Sequence, residues 1–395
     1  MKNYAKADPS ATKFDASGVT ETIQRALASS GLATESGLVK GIMDTINQSL
    51  TTAGLMQPSE PSGRGTTFDG TACEVDPALA IVDGRTARAA NDPVLQPHDR
   101  QTSHPGQFLS CSFANAAGMR AYKVYVPASH SRTSGAPMPL VVMLHGCTQS
   151  PDDFAVGTRM NALADEHGFV VVYPAQSAGA NASRCWNWFR SEDQCRDRGE
   201  PSIIAGITGE VVSRYGVDEQ RIFVAGMSAG AAMAVVLGAT YPDLFAAVGA
   251  HSGLAFRAAH DMPSAFGAMH GRGTLAGAPC TATTVPTIVF HGDADRTVQA
   301  RNGAAIIEQV VGSRPDRSTL RADVESGIAA GGARYERTTY VDAADRVVAE
   351  QWLLRDAAHA WSGGSADGSY TDARGPDASK EMIRFFYSLP RAGTA

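Results

Sequence analysis

The sequence has no apolar segment long enough to cross a membrane and no concentration of basic residues. Its 395 residues carry a formal net charge of −6. Proteins that bind a phosphate backbone do so with clustered Lys and Arg, so no nucleic-acid partner is expected. The longest apolar runs, such as residues 139–144 and 169–173, are far shorter than the ~20 residues of a transmembrane helix. No transmembrane segment is therefore expected.

The cysteine pattern argues against two further classes of protein. Six cysteines are too few for a disulfide scaffold in a chain of this length, and none forms a CxxC pair. No His/Cys cluster has the spacing of a metal site, so no metal is expected. The residues after Met1 are polar and contain no apolar signal core. This favours a cytoplasmic protein, unless an export signal was removed before residue 1.

The composition is that of a globular protein with a substantial core. Hydrophobic residues make up 43% of the chain and charged residues 19%. We predict a small helical segment over residues 1–55, because apolar residues have helical spacing at 20–27 and recur at every fourth position from Leu38 to Leu50. Residues 56–107 are rich in Pro and Gly and are predicted to form an irregular linker or cover. The main domain is predicted to cover residues 108–395.

Within the main domain, short apolar runs alternate with segments of helical length. Continuous apolar strands separated by helices predict a mostly parallel, doubly wound sheet covered on both faces, which is an α/β fold. Ligands of such sheets bind at the carboxyl ends of the strands. The predicted strands cover residues 120–126, 140–144, 169–173, 222–225, 246–250, 287–290 and 348–354.

A candidate nucleophile lies in the Gly-x-Ser-x-Gly motif at residues 226–230, between a predicted strand and a helix of small residues. This is the strand–turn–helix context of the nucleophile elbow in the α/β-hydrolase fold. The two glycines permit a sharp turn with Ser228 at its tip, and the N-terminus of the helix favours the charge that forms on attack. Ser228 is therefore the predicted nucleophile. The alternative is a tight structural turn.

The segment His-Gly-Cys-Thr-Gln at residues 145–149 ends an earlier predicted strand. In the α/β-hydrolase fold, one oxyanion donor follows the nucleophile and the other comes from the loop after this strand. We therefore predict the backbone N–H groups of Cys147 and Ala229 as the oxyanion hole. The alternative for this loop is a plain turn at the end of a strand. His145 is expected to brace the loop.

A catalytic serine needs an imidazole to take its proton and a carboxylate to orient that imidazole. In this fold they follow the nucleophile in the order acid, then histidine. His359 lies in a small-residue loop after the last predicted strand and is the predicted base, whereas His251 and His291 precede or adjoin the acid loop. Asp293 and Asp295 both follow the penultimate strand, and the residues alone do not decide between them. The reaction needs no metal or organic cofactor.

Taken together, these motifs resemble the family of poly(3-hydroxybutyrate) depolymerases with a type 1 catalytic domain, which also contains feruloyl and acetylxylan-type esterases. The resemblance covers residues 108 to about 390. It rests on the segments at residues 144–149, 185–189, 226–230, 291–298, 359–364, 369–372 and 375–379.

The resemblance implies roles that the residues alone leave open. It implies that the acid is Asp295, which precedes the x-Thr-Val step. It also implies a disulfide between Cys147 and Cys185. This bond would tie the loop at residues 145–149, here called the oxyanion loop, to the loop that carries Trp186 and Trp188. A reducing cytoplasm would disfavour the bond. The tryptophans have an alternative as core residues. Candidate substrate-binding residues in the matching segments are Trp186, Trp188, Gln149 and Trp361.

The resemblance also implies an ester as the partner. The first hypothesis is a hydrolase of short-chain polyhydroxyalkanoate polymer or oligomers. The second is a carboxylesterase for feruloyl, acetyl or similar small esters. The third is a non-catalytic granule-binding protein anchored by residues 1–55. Because no Thr-rich or fibronectin-like linker and no polymer-binding domain is recognisable, crystalline polyester is not the expected substrate. Residues 256–285 are a candidate lid or an ordinary surface insertion.

Overall fold

The computed structural model describes residues 74–75, 106–130, 137–272 and 285–390. All of them belong to the unit Gly70–Ala395. The predicted helical segment at residues 1–55 and nearly all of the predicted linker at 56–107 lie outside the described residues.

The described strands agree with all seven predicted ones and add others. They are β1 (Glu74–Val75), β2 (Gln107–Asn115), β3 (Gly118–Val126), β4 (Met138–Leu144), β5 (Val170–Pro174), β6 (Val217–Met227), β7 (Ala247–His251), β8 (Thr287–Gly292), β9 (Arg321–Ile328), β10 (Arg334–Val341), β11 (Val347–Leu354), β12 (Trp361–Ser362) and β13 (Thr371–Asp372).

Helices of the described residues connect these strands. The α-helices are α1 (Pro151–Thr158), α2 (Met160–His167), α3 (Gly199–Tyr215), α4 (Ala229–Thr240), α5 (Met262–Met269), α6 (Arg301–Gly312) and α7 (Ala378–Ser388), and 3₁₀ turns occur at Ser191–Gln194 and Arg317–Thr319. Among the described residues, no helix is both long enough and apolar enough to pass through a bilayer.

One large sheet organises the described part of the chain. Its strand order is β1-β2-β3-β5-β4-β6-β7-β8-β11-β10-β9. The central strands β5, β4, β6, β7, β8 and β11 run parallel to one another. Antiparallel strands extend the sheet at both ends. Because parallel strands end at the same edge, the loops that follow β4, β6, β8 and β11 gather at one edge of the sheet.

The core lies on both faces of this sheet. In β4, Leu140, Val142 and Leu144 pack into a cluster with α3, α4 and α6. The alternate residues Val141 and Met143 pack into a second cluster with α1, α2 and α7. All five side chains are fully buried, and each such burial stabilises the fold by roughly 1.5–3 kcal/mol. The predicted doubly wound α/β-hydrolase fold is therefore confirmed.

The hairpin formed by β9 and β10 is absent from the predicted strands. It lies between α6 and β11 and pairs only through β10 with the rest of the sheet. Nearly every residue of β9 is exposed within the described part of the chain. Its sequence therefore lacks the apolar run from which a buried strand is predicted.

Candidate active site

Ser228 occupies a sharp turn between β6 and α4. Its backbone has φ 56° and ψ −120°, a conformation that is strained for a residue with a side chain. The flanking glycines are required by close contact: a Cβ at Gly230 would lie 2.1 Å from the Leu144 carbonyl oxygen, and one at Gly226 would lie 2.5 Å from the Gly230 carbonyl carbon. The packing of the elbow against β4 therefore demands both glycines of the motif.

His359 and Asp295 form a close pair at the same edge of the sheet. His359 Nδ1 lies 2.7 Å from Asp295 Oδ2, and the aspartate side chain is 0% exposed. The N–H groups of Thr297 and Val298 each donate to Asp295 Oδ1 at 2.9 Å. Burial by itself would raise the pKa of Asp295, but the hydrogen bond and charge of His359, with the Val298 N–H, lower it overall. The ionised carboxylate accepts the Nδ1 proton, which leaves His359 Nε2 as the basic nitrogen.

Asp293, the other candidate acid, has a different role in the structure. Its Oδ1 accepts a hydrogen bond from the Asp356 N–H at 2.7 Å, and its Oδ2 lies 3.4 Å from Arg355 Nη1. These contacts brace the chain that leads from β11 to His359. The geometry thus pairs Asp295, and not Asp293, with the imidazole.

The Ser228 hydroxyl makes no hydrogen bond within the described part of the chain, either to His359 or to any other group. The hydrogen bond between nucleophile and base is often long in ligand-free enzymes and shortens when substrate binds. The carboxyl ends of β6, β8 and β11 nevertheless lie at one edge of the sheet, so Ser228, Asp295 and His359 share that edge.

The loop after β4 lies directly against the nucleophile elbow. A Cβ on Gly146 would be in ordinary van der Waals contact with Ser228 Cβ, at 3.7 Å, and in tight contact with Gln149 Oε1, at 3.0 Å. The Gly146 N–H donates to Gln149 Oε1 at 2.9 Å, and the Thr148 N–H donates to the Ser183 carbonyl at 2.7 Å. Among described residues, the N–H groups of Cys147 and Ala229 have no acceptor. Both are thus available to a negatively charged oxygen near the serine.

A disulfide fixes this loop to a second loop. Cys147 and Cys185 are bonded, with their Cα atoms 4.2 Å apart. The bond joins the residue that carries a candidate oxyanion donor to the segment that precedes Trp186. Movement of one loop is therefore coupled to the other.

With this geometry established, comparison with known proteins places the chain. The family model for "Esterase PHB depolymerase" matches residues 120–339, which is more than half of the chain. The chain belongs to this family. It spans about half the length of the curated relatives it matches.

The relatives of this chain are named for different ester substrates. It is 36% identical over 189 residues to poly(3-hydroxyalkanoate) depolymerase C of Paucimonas lemoignei, a match that covers 45% of each chain. It is 33% identical over 143 residues to feruloyl esterase B of Neurospora crassa, which covers 36% of this chain and 46% of the relative. The acetyl xylan esterase from Aspergillus awamori shares the fold, with a TM-score of 0.52 and 20% identity over 68% of this chain and 94% of that one.

The structure corrects three of the predicted substrate contacts. Trp186 is 0% exposed and its Nε1–H donates to the His145 carbonyl at 3.1 Å. Trp361 is also buried and donates to Ser379 Oγ at 3.1 Å. Both rings lie in the core and not at the surface, which agrees with the core-filling alternative for Trp186 and gives Trp361 the same place. Gln149 is likewise buried.

Gln149 instead braces the oxyanion loop. Its Oε1 accepts from the Gly146 N–H, while its Nε2 donates to Asp153 Oδ2 at 3.0 Å and to Ser369 at 3.2 Å. All of its polar atoms are engaged within the protein, which leaves none for a substrate. Trp188 is 6% exposed, and its contact with substrate stays a prediction.

His145 also braces the oxyanion loop, as expected. Its Nε2 accepts from the Gln176 N–H at 3.0 Å, so Nδ1 carries the proton and donates to the Gly146 carbonyl at 2.7 Å. Burial lowers the pKa of His145 to about 4. The imidazole is therefore neutral and structural at neutral pH.

Tyr370 is an exposed aromatic residue beside the loop after β4, and the sequence assigned it no role. Its side chain is 49% exposed, and its Oη lies 3.2 Å from Thr148 Oγ1, next to the candidate oxyanion donor Cys147. A half-exposed aromatic ring at this place can contact a substrate. Tyr370 belongs to the segment at residues 369–372 that resembles the family, but nothing in that segment distinguishes a surface ring from a buried one.

The candidate lid is only partly described. Residues 256–272 include α5, where Met262 and Phe266 are large apolar side chains with about half of their surface exposed. They stand four residues apart and hence on one face of the helix. Residues 273–284 lie outside the described residues, and the lid stays a prediction.

Proposed function

We propose that this protein is a serine hydrolase that cleaves carboxylic esters through an acyl-enzyme, with short-chain polyhydroxyalkanoate polymer or oligomers as its substrate. The observation that carries the proposal is the 2.7 Å contact between His359 and buried Asp295, at the edge of the sheet that also presents the strained Ser228. The order Ser, Asp, His along the chain is that of α/β-hydrolases.

The proposed reaction has two steps. In the first, His359 Nε2 takes the Ser228 proton as Oγ attacks the ester carbonyl, and the resulting oxyanion is bound by the N–H groups of Cys147 and Ala229. The alcohol then leaves with the proton from His359. In the second step, His359 takes a proton from the water that attacks the acyl carbonyl, and it gives that proton to Ser228 Oγ as the bond between Oγ and the acyl carbon breaks and the acid is released. Asp295 holds the imidazole in one tautomer and stabilises its charged form.

The substrate class is supported by the family and by one relative in particular. Poly(3-hydroxyalkanoate) depolymerase C is the relative with 36% identity. A second candidate substrate is a feruloyl or other small ester, supported by the feruloyl esterase relative and by the exposed ring of Tyr370 beside the oxyanion loop. An aromatic acyl group would stack favourably on such a ring.

The experiment that tests the proposal compares three substrates: p-nitrophenyl butyrate, soluble 3-hydroxybutyrate oligomers and methyl ferulate. The wild type and Ser228→Ala are assayed on each, with Ser326→Ala as a control at an exposed serine of β9. We expect Ser228→Ala to lose at least ~10³-fold in kcat and the control to match the wild type. Residual wild-type-like turnover in Ser228→Ala would refute the proposed mechanism.

The same variants separate the substrate hypotheses. A higher kcat/KM for hydroxybutyrate oligomers than for methyl ferulate supports the depolymerase proposal, and the reverse order supports a feruloyl-type esterase. A fluorophosphonate probe should label the wild type and not Ser228→Ala. Absence of labelling in folded wild type would favour a non-catalytic, granule-binding protein.

A further inference from the structure

His251 lies in the centre of the molecule, beside the candidate triad but outside it. It ends β7, between Met227 of β6 and Phe290 of β8 in the sheet register. Its side chain is fully buried. The imidazole stacks on the rings of Phe290, at a centroid distance of 5.8 Å, and Trp361, at 5.1 Å. These contacts leave the ring little freedom to rotate.

The main chain of His251 holds the nucleophile elbow. Its carbonyl oxygen accepts a hydrogen bond from the Ser228 N–H at 2.9 Å. Ser228 is at a positive φ, and a strained residue keeps its conformation only when neighbouring groups determine it. This hydrogen bond is one of those determinants.

The side chain of His251 holds the loop of the candidate base. Its Nε2 lies 3.0 Å from the Ser362 backbone nitrogen, and an N–H donor requires that Nε2 carry a lone pair. The proton is therefore on Nδ1, which lies 3.2 Å from Ser252 Oγ. Ser362 follows His359 by three residues and belongs to β12. Burial, reinforced by the neighbouring His291 and His359, lowers the pKa of His251 to about 3. The ring therefore stays an acceptor at neutral pH.

We propose that His251 is a positioning residue that holds the nucleophile elbow and the base loop in a fixed relation to each other. Its carbonyl oxygen fixes the position of Ser228, and its Nε2 fixes the position of the segment that carries His359. The inference rests on the proposed roles of Ser228 and His359 and assigns no contact between His251 and substrate. An error of about 1 Å in the placement of a reacting group can cost ~10²-fold in rate.

The test compares two nearly isosteric substitutions. In His251→Gln, the amide oxygen can reach the place of Nε2 and accept from Ser362, whereas His251→Met has similar length and no comparable acceptor. Both lose the stacked ring and both keep the main-chain carbonyl. The two variants differ only at the end of the side chain, where Gln has an amide and Met a thioether, so retention of function by Gln and its loss in Met report the acceptor for Ser362.

For His251→Gln we expect kcat on p-nitrophenyl butyrate within about threefold of the wild type. For His251→Met we expect kcat to fall ~10–100-fold with KM changed by less than about twofold, since the base and not the binding surface is displaced. Val289→Ala is a control for general destabilisation, because it opens a cavity in the core cluster on the sheet without removing a bond to the base loop. It should lower Tm and leave kcat unchanged.

Amide hydrogen exchange at Ser362 gives a second readout that does not depend on activity. Exchange should be slow in the wild type and in His251→Gln and faster in His251→Met. If the Gln and Met variants share the same kcat and the same exchange rate, the acceptor is irrelevant and the inference is wrong. If neither the wild type nor the variants hydrolyse esters, the proposed function fails, while the exchange rates still decide whether His251 positions the loop. If His251→Met does not fold, His251→Asn replaces it, because the shorter amide cannot reach Ser362.

Discussion

Replacing Asp295 with asparagine isolates the tautomer of His359, because the structure constrains how an amide can sit at that position. Oδ1 of Asp295 already accepts the N–H groups of Thr297 and Val298. In Asp295→Asn, the amide oxygen must keep these two bonds, since only an oxygen can accept them. The amide NH₂ then faces His359 Nδ1 and acts as a donor.

An NH₂ donor at Nδ1 requires that Nδ1 be unprotonated, which moves the imidazole proton to Nε2. Nε2 can then no longer take the proton of Ser228. In serine hydrolases the equivalent change of tautomer lowers kcat by ~10⁴-fold, or about 5 kcal/mol of transition-state stabilisation. The amide is nearly isosteric with the carboxylate, so KM and Tm should change little.

The measurement is kcat and KM for p-nitrophenyl butyrate at pH 7.5, with Asp293→Asn as the matched control. The control keeps its acceptor for the Asp356 N–H, and Arg355 keeps its second partner, Glu336, so the control rate should stay within about threefold. The reasoning is refuted if Asp295→Asn retains more than a tenth of the wild-type kcat, or if the control loses more than Asp295→Asn does.

Three further outcomes follow from the site. Cys185→Ser should lower kcat by ~10-fold, since it frees the oxyanion loop without deleting a donor, and Cys195→Ser should leave kcat unchanged. Gly230→Ala should abolish soluble expression or activity, because its methyl group would lie 2.1 Å from a β4 carbonyl oxygen, whereas Gly312→Ala meets nothing within 4 Å and should express normally. Because the folded-state pKa of His145, about 4, lies below the ~6.5 of an unfolded chain, the unfolded state binds the extra proton as pH falls from 6.5 to 4. The contribution of His145 to the free energy of unfolding, measured with urea, should be fully present above pH 6.5 and should be lost as the pH falls from 6.5 to 4. The free energy should fall less steeply over this range in His145→Gln.

The sequence predicts the sheet well, because its buried strands are short apolar runs. It also predicts which residues lie at the carboxyl ends of the parallel strands, since Ser228 and His359 each follow a predicted strand. It could not choose between Asp293 and Asp295, because both follow β8 and only the direction of each side chain separates them. That direction depends on the turn at residues 292–298, where two backbone N–H groups donate hydrogen bonds to the Asp295 carboxylate.

The wrong predictions for the two tryptophans have one physical cause. A tryptophan in a motif near an active site carries the same signal whether its ring lines the cleft or fills the core behind it. Trp186 and Trp361 are placed by tertiary contacts with His145 and Ser379, which no local pattern reports. The hairpin β9–β10 is not predicted for a different reason: β9 is exposed, and the polar residues of both strands give no apolar run to detect.

The oxyanion loop shows why remote residues should matter to the rate. It is attached at separate points by the side chain of Gln149, by the ring of His145 and by the Cys147–Cys185 bond. Preorganised donors stabilise developing charge because they need not reorient during the reaction. If the Cys147 N–H binds the oxyanion as proposed, we expect each attachment to affect the rate through the position of that N–H and not through contact with substrate. Substitutions at these points should lower kcat while KM stays nearly constant, which distinguishes them from substitutions at Tyr370, where a loss of substrate contact should appear in KM.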